Sequence, residues 1–103
     1  MQNEVIGKYV IARSSPSGVW AGIVKSVDGN TVVMTSARRL WRWWAAEGVS
    51  LSGIATKGLH PKKLKECKIE PAVETCIVFE VCELIPASEI ARRSIESMGV
   101  PAP

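Results

Sequence analysis

Apolar and polar positions alternate through the first third of the chain with the period of two that a half-buried strand imposes. In Gly7–Arg13 (GKYVIAR), Tyr9 and Ile11 fall on one face and Val10 and Ala12 on the other. The Ser14–Gly18 stretch, with its Pro and Gly, is a turn. In Val19–Val27 (VWAGIVKSV), Val19, Ala21, Ile23 and Val27 share one face, and Trp20, Gly22 and Val24 the other. Gly22 inside this second strand predicts a bulge or bend. Asp28-Gly29 between two apolar runs predicts a hairpin closed by a type I′ turn. The third strand starts at Asn30 and runs on through Ser36 to Trp41, with Arg38 and Leu40 on one face and Arg39 and Trp41 on the other.

Beyond Trp43 the pattern becomes helix-compatible. It predicts a short helix over Leu51–Lys57, capped by Ser50 or Ser52 and stopped by Gly58. Leu59–Lys68 reads as an exposed, lysine-rich loop, and Cys67–Pro71 as a short edge strand, since Pro71 cannot sit centrally. Val73–Ile85 (VETCIVFEVCELI) is apolar on both faces and predicts one central, well-buried strand. Its Glu80 and Glu83 fall on opposite faces, so one of them needs solvent, an arginine or a subunit interface. Ser88 is the N-cap of a final helix, Glu89–Ser97, with Ile90, Ala91 and Ile95 against the sheet. The expected fold class is mainly β (α+β): a small curled antiparallel sheet or SH3/Sm-like barrel with a short helical insertion and a C-terminal helix. Residues 1–98 form the domain, and 99–103 a disordered tail.

At 103 residues and 47% hydrophobic content the chain is one globular domain. Four tryptophans and a strand apolar on both faces exceed what so small a core hides, so a homo-oligomer is expected. No apolar run approaches a membrane span, and Met1–Glu4 does not open a signal peptide, so a cytoplasmic location is expected. Cys67, Cys76 and Cys82 have no C-x-x-C spacing, and His60 is the sole histidine, so no metal site, redox motif or cofactor is indicated. Cys76 and Cys82 read as small buried hydrophobes. No catalytic pairing of histidine, aspartate or glutamate stands out, and a non-enzymatic protein is expected.

Charge is unevenly placed although the net value is only +3. Residues 57–68 carry five lysines against Glu66, while residues 70–96 carry six glutamates against Arg92 and Arg93. The densest stretch is Ala37–Trp44 (ARRLWRWW), which holds three of the six arginines and three of the four tryptophans. Arginine forks pair with phosphate or carboxylate, and indole faces stack on planar rings and cations. The candidate binding residues are therefore Arg38, Arg39, Trp41, Arg42 and Trp43. Arg38 and Arg39 point to opposite faces, so they cannot serve one ligand together. One is expected to be structural, paired with Glu80 or Glu83, and the other, Arg39, to clamp a planar ligand with Trp41.

The order of these pieces resembles a family of small accessory proteins of tailed phages and prophages. The resemblance rests on Tyr9–Arg13, Val19–Val27, the ARRLWRW signature at Ala37–Trp43, SLSGIATKG at Ser50–Gly58 and ELIP at Glu83–Pro86. It implies a phage origin and a non-virion role in the host cell, and no particular activity. By analogy, the function expected is counter-defence: capture of a small anionic, nucleotide-type ligand through the Arg/Trp patch. The alternatives are docking on and inhibiting a host protein, or non-specific nucleic-acid binding, with no membrane partner.

Overall fold

The computed structural model describes residues 2–46, 48 and 50–99. Six strands and two α-helices follow in the order β1 (Tyr9–Ser14), β2 (Gly18–Asp28), β3 (Thr31–Arg42), α1 (Leu51–Lys57), β4 (Lys68–Ile69), β5 (Val73–Val78), β6 (Val81–Pro86) and α2 (Glu89–Glu96). Short 3₁₀ turns lie at Gln2–Val5 and Leu64–Glu66. The fold is mainly β, an antiparallel sheet whose hydrogen-bond ladder does not close. Strand order is β4-β3-β2-β1-β6, with β5 also on β3.

The β2–β3 hairpin is the frame. Its two-residue loop is Gly29-Asn30, because Asp28 faces Thr31. Of these two loop residues only Gly29 has positive φ (59°), which fits a type II′ turn and corrects the type I′ expected from Asp28-Gly29. Two bulges interrupt the pairing, one beside Gly22 and one at Lys25. A Cβ on Gly22 would stand 2.9 Å from Ala37 Cα and 3.0 Å from Thr35 O, so only glycine fits under the bulged β3 backbone. There Ser36 takes a left-handed φ of 50°.

The bulges decide which face each residue meets. Tyr9, Ile11, Ala21 and Leu40 join α1, α2 and the 59–69 segment in one core cluster. Val10, Ala12, Val24, Val32, Met34, Ala37 and Val78 form a second. β1 is buried on both faces, more fully than the half-buried strand that its alternation implied. Val27 packs on the second cluster and not with Val19, Ala21 and Ile23, because the Lys25 bulge shifts its parity.

The predicted single strand Val73–Ile85 is two strands. β5 pairs with β3 and β6 with β1, and they turn at Phe79-Glu80, where Glu80 has φ 53°. The corner is pinned by Ser14 Oγ, which donates to Phe79 O at 2.6 Å, and by Val81 N, which donates to Asn30 O at 2.8 Å. The segment therefore spans the two sides of the curled sheet instead of lying at its centre. Val78 is buried, while Val73, Ile77 and Phe79 are exposed. Cys82 is also exposed and Cys76 half-buried; the buried cysteine is Cys67.

α1 has the predicted bounds, with Gly58 at φ 83° as its stop, although the Ser50 side chain bonds Ser52 and does not cap. The 59–68 segment is less exposed than expected, since Leu59 and Cys67 join the core and Lys68 enters β4. In α2, Ser88 Oγ accepts from Ala91 N at 3.1 Å as the N-cap. Ala91 and Ile95 are buried, whereas Ile90 faces solvent because it lies off that stripe. Residues 100–103 of the expected tail lie outside the described residues. No described helix is long and apolar enough to cross a membrane.

Candidate ligand-binding cleft

Neighbouring arginines on β3 have opposite fates. Arg38 is 7% exposed and points into the helix side of the sheet. Its guanidinium meets backbone carbonyls and no carboxylate. Nε donates to Glu70 O at 2.8 Å, Nη1 to Ile95 O at 2.9 Å and Met98 O at 2.8 Å, and Nη2 to Ile69 O at 3.2 Å and Gly99 O at 3.5 Å. Ile95 O lies in the last turn of α2 and Met98 O and Gly99 O just past it, at the negative end of the helix dipole. Arg38 thus ties β3 to β4 and to α2. The expected pairing with Glu80 or Glu83 is not formed: Glu83 instead accepts from Arg13 Nε at 2.9 Å in an exposed ion pair, and Glu80 is exposed at the corner. The reason is topological, since Arg38 lies on β3 beside β4, whereas Glu83 stands on β6, three strands away across β2 and β1.

Arg39 is exposed and stands on the opposite face. Its cross-strand partner is Trp20, and its guanidinium lies 4.6 Å from the Trp20 ring centroid. Trp20 is fixed in turn, its indole N–H donating to Ser17 O at 3.0 Å. Among the described residues Arg39 makes no ion pair. Two residues along, Trp41 is 66% exposed, the most open of the exposed large apolar side chains. Trp20, Arg39, Trp41, Glu70, Pro71 and Val73 line a cleft of about 380 Å³. Lys68 on β4 brings its Nζ to 5.7 Å from the Trp41 ring. Cys76 sits nearby; burial pushes its thiol pKa up and the Arg39 charge pulls it back down.

Trp41 has a cleft on each side. The β4–β5 connection, Glu70 and Pro71, bounds the first; the second, of about 440 Å³, is bounded by the β1–β2 turn and Trp43. Arg39 lines both. Trp43 packs partly into the helix-side core, so it presents an edge rather than a free face. Arg42 is exposed at the end of β3, opposite Lys68, and lines neither cleft. Trp44 belongs to a separate group, under Lys63 at 4.3 Å and beside His60.

Of the five candidate residues, Arg39 and Trp41 share the first cleft, Trp43 borders the second, Arg42 lies apart and Arg38 is structural. Sequence reasoning missed Trp20, Glu70, Pro71 and Val73. Trp20 lies opposite Arg39 only in the observed hairpin register, with its Gly29-Asn30 loop, and not in the register that an Asp28-Gly29 loop implies. Such an arrangement can hold a planar ring against indole and an anionic group against the guanidinium. Among the described residues no three His, Cys, Asp or Glu side chains gather as a metal site.

No curated protein and no solved structure matches the chain. A family model described as "Domain of unknown function (DUF6948)" matches residues 7–95, and the chain belongs to that family.

Proposed function

We propose that this protein is a non-enzymatic binding protein that captures a small anionic ligand bearing a planar ring, of nucleotide type, in the Trp20–Arg39–Trp41 cleft. One observation carries the reading: Arg39 has no acidic partner among the described residues, yet is held on Trp20 and faces an open cleft walled by an exposed Trp41. Arg38 illustrates a structural arginine in this fold, buried and saturated by carbonyls. Arg39 is neither, so its fork is free for phosphate. Trp41 leaves a large indole in water, a cost that stacking on a ligand ring would remove. The resemblance to tailed-phage accessory proteins supports a counter-defence role in the cytoplasm of the host cell, where sequestering a nucleotide signal needs binding alone.

Docking on a host protein is the second reading. It draws on the exposed Val73 in the cleft wall and Ile77 further along β5, since apolar and Trp/Arg anchors typify protein interfaces.

The test is a thermal-shift screen of linear and cyclic nucleotides against wild type and Arg39→Ala. A ligand at about 100 times its Kd stabilises the fold by about 2.7 kcal/mol. Wild type is expected to shift upward and Arg39→Ala to lose the shift. A shift that survives in Arg39→Ala, or none with any nucleotide, contradicts the reading.

A further inference from the structure

Trp41 is a blade with a cleft on either side, and that geometry says more about the ligand than its charge does. At Trp41, β3 lies between the β4–β5 connection and the β1–β2 turn. Glu70 N bonds Arg39 O at 2.9 Å on one side, and the Trp20–Arg39 pairing leads to Gly18 on the other. Neither neighbour covers the indole, which leaves it 66% exposed. The clefts so formed are similar in size, about 380 and 440 Å³, and Trp41 and Arg39 line both. A mononucleotide would use only one of them.

We propose that the site takes two nucleobases, one on each side of Trp41, joined by a phosphodiester that passes Arg39. This rests on the nucleotide-type reading above and names the ligand class within it. Side chains inserted between successive bases are an established way to hold nucleic acid, and stacking on an aromatic face is tolerant of base identity. Among the described residues Arg39 is the one cation lining both clefts, so it is placed to meet the group that joins the two bases. Lys68, with its Nζ 5.7 Å from the Trp41 ring, supplies positive charge at the rim for a flanking phosphate. The ligand chemistry is a dinucleotide unit. Its source is either a free dinucleotide or a single strand.

The experiment is a tryptophan-fluorescence titration at low salt with adenosine monophosphate, the linear dinucleotide of adenosine, and a longer oligoadenylate. Wild type is expected to bind the dinucleotide about tenfold or more tighter than the mononucleotide, the scale of one added stacking contact. Trp41→Ala, at an exposed position, keeps the fold and removes that advantage. Ser15→Glu puts a negative charge into the second cleft and not the first, so it weakens the dinucleotide. An oligoadenylate no tighter than the dinucleotide identifies a free dinucleotide as the source; a tighter one identifies a single strand. Equal affinity for mononucleotide and dinucleotide overturns the two-base proposal and leaves the single-nucleotide reading standing. No binding of any of the three overturns both.

Discussion

Arg38→Ala and Arg39→Ala differ by one position and are expected to behave as different kinds of mutation. Arg38 serves five carbonyls, and its bonds to Ile95 O and Ile69 O are buried. Truncation removes a charged donor from each, at about 1.5–3 kcal/mol per bond, although Ile95 O keeps Met98 N at 3.2 Å. The other three, part-buried, recover water. A net loss of about 3 kcal/mol follows, which for a domain of this size lowers Tm by about 12–24 °C. Arg38→Lys keeps the charge but gathers its donors on one nitrogen, too compact to span β4 and the end of α2, and should fall between wild type and Ala. Arg39→Ala loses an exposed cation–π contact worth about 0.5–1 kcal/mol, so Tm drops by less than about 8 °C. Thermal denaturation followed by circular dichroism measures both. If Arg38→Ala melts within a few degrees of Arg39→Ala, the carbonyl network does not hold β3 to α2 and the division of labour is wrong.

Gly22→Ala should destabilise by about 1–3 kcal/mol, since its Cβ meets backbone atoms of Ala37 and Thr35 that cannot swing aside; a melting temperature equal to wild type would show that the bulge relaxes. Tyr9, the sole tyrosine, has a buried hydroxyl with no partner among the described residues, and burial chiefly, with Glu96 adding, pushes its pKa up to about 12. Its folded pKa lies above the unfolded value of about 10, so this stability is complete below pH 10 and is lost as pH rises towards 12. Ultraviolet titration should show tyrosinate forming near pH 12, and Tyr9→Phe should match or exceed wild-type stability; a marked loss would reveal a hydroxyl partner. The outer edge of β5 pairs with nothing among the described residues, and Ile77 and Phe79 are exposed there, so self-association is expected through this edge. Light scattering should give more than a monomer mass, reduced by Ile77→Lys; a monomer at micromolar concentration refutes it.

Much of the sheet was legible because punctuation was clear. Gly58 ended α1 and Ser88 capped α2 where their residue types implied. The opposition of Arg38 to Arg39 followed from strand alternation alone. The partners did not follow, because a partner depends on register and on what covers each face. Centring the hairpin on Asp28-Gly29 sets Trp20 opposite Ala37; the observed Gly29-Asn30 loop sets it opposite Arg39. The two bulges lie on different strands and cancel, so a two-residue loop choice separated the sequence from the cleft. Val73–Ile85 misled for another reason. Apolar residues on both faces were read as burial on both, whereas the chain changes partner at Glu80 and buries different faces before and after it. Arg38 was expected to need a carboxylate, but the end of α2 and β4 supply carbonyls enough.

The central claim is that Trp20, Arg39 and Trp41 form one ligand-binding cleft. The four indole N–H signals, one for each tryptophan, allow it to be tested in a single nuclear magnetic resonance titration with a nucleotide. The account predicts that the Trp41 and Trp20 signals move together with the Arg39 side-chain N–H, while Trp44 stays in place, and that Arg39→Ala abolishes the movement. Indole signals that remain fixed at saturating nucleotide, or movement confined to Trp44, would contradict it.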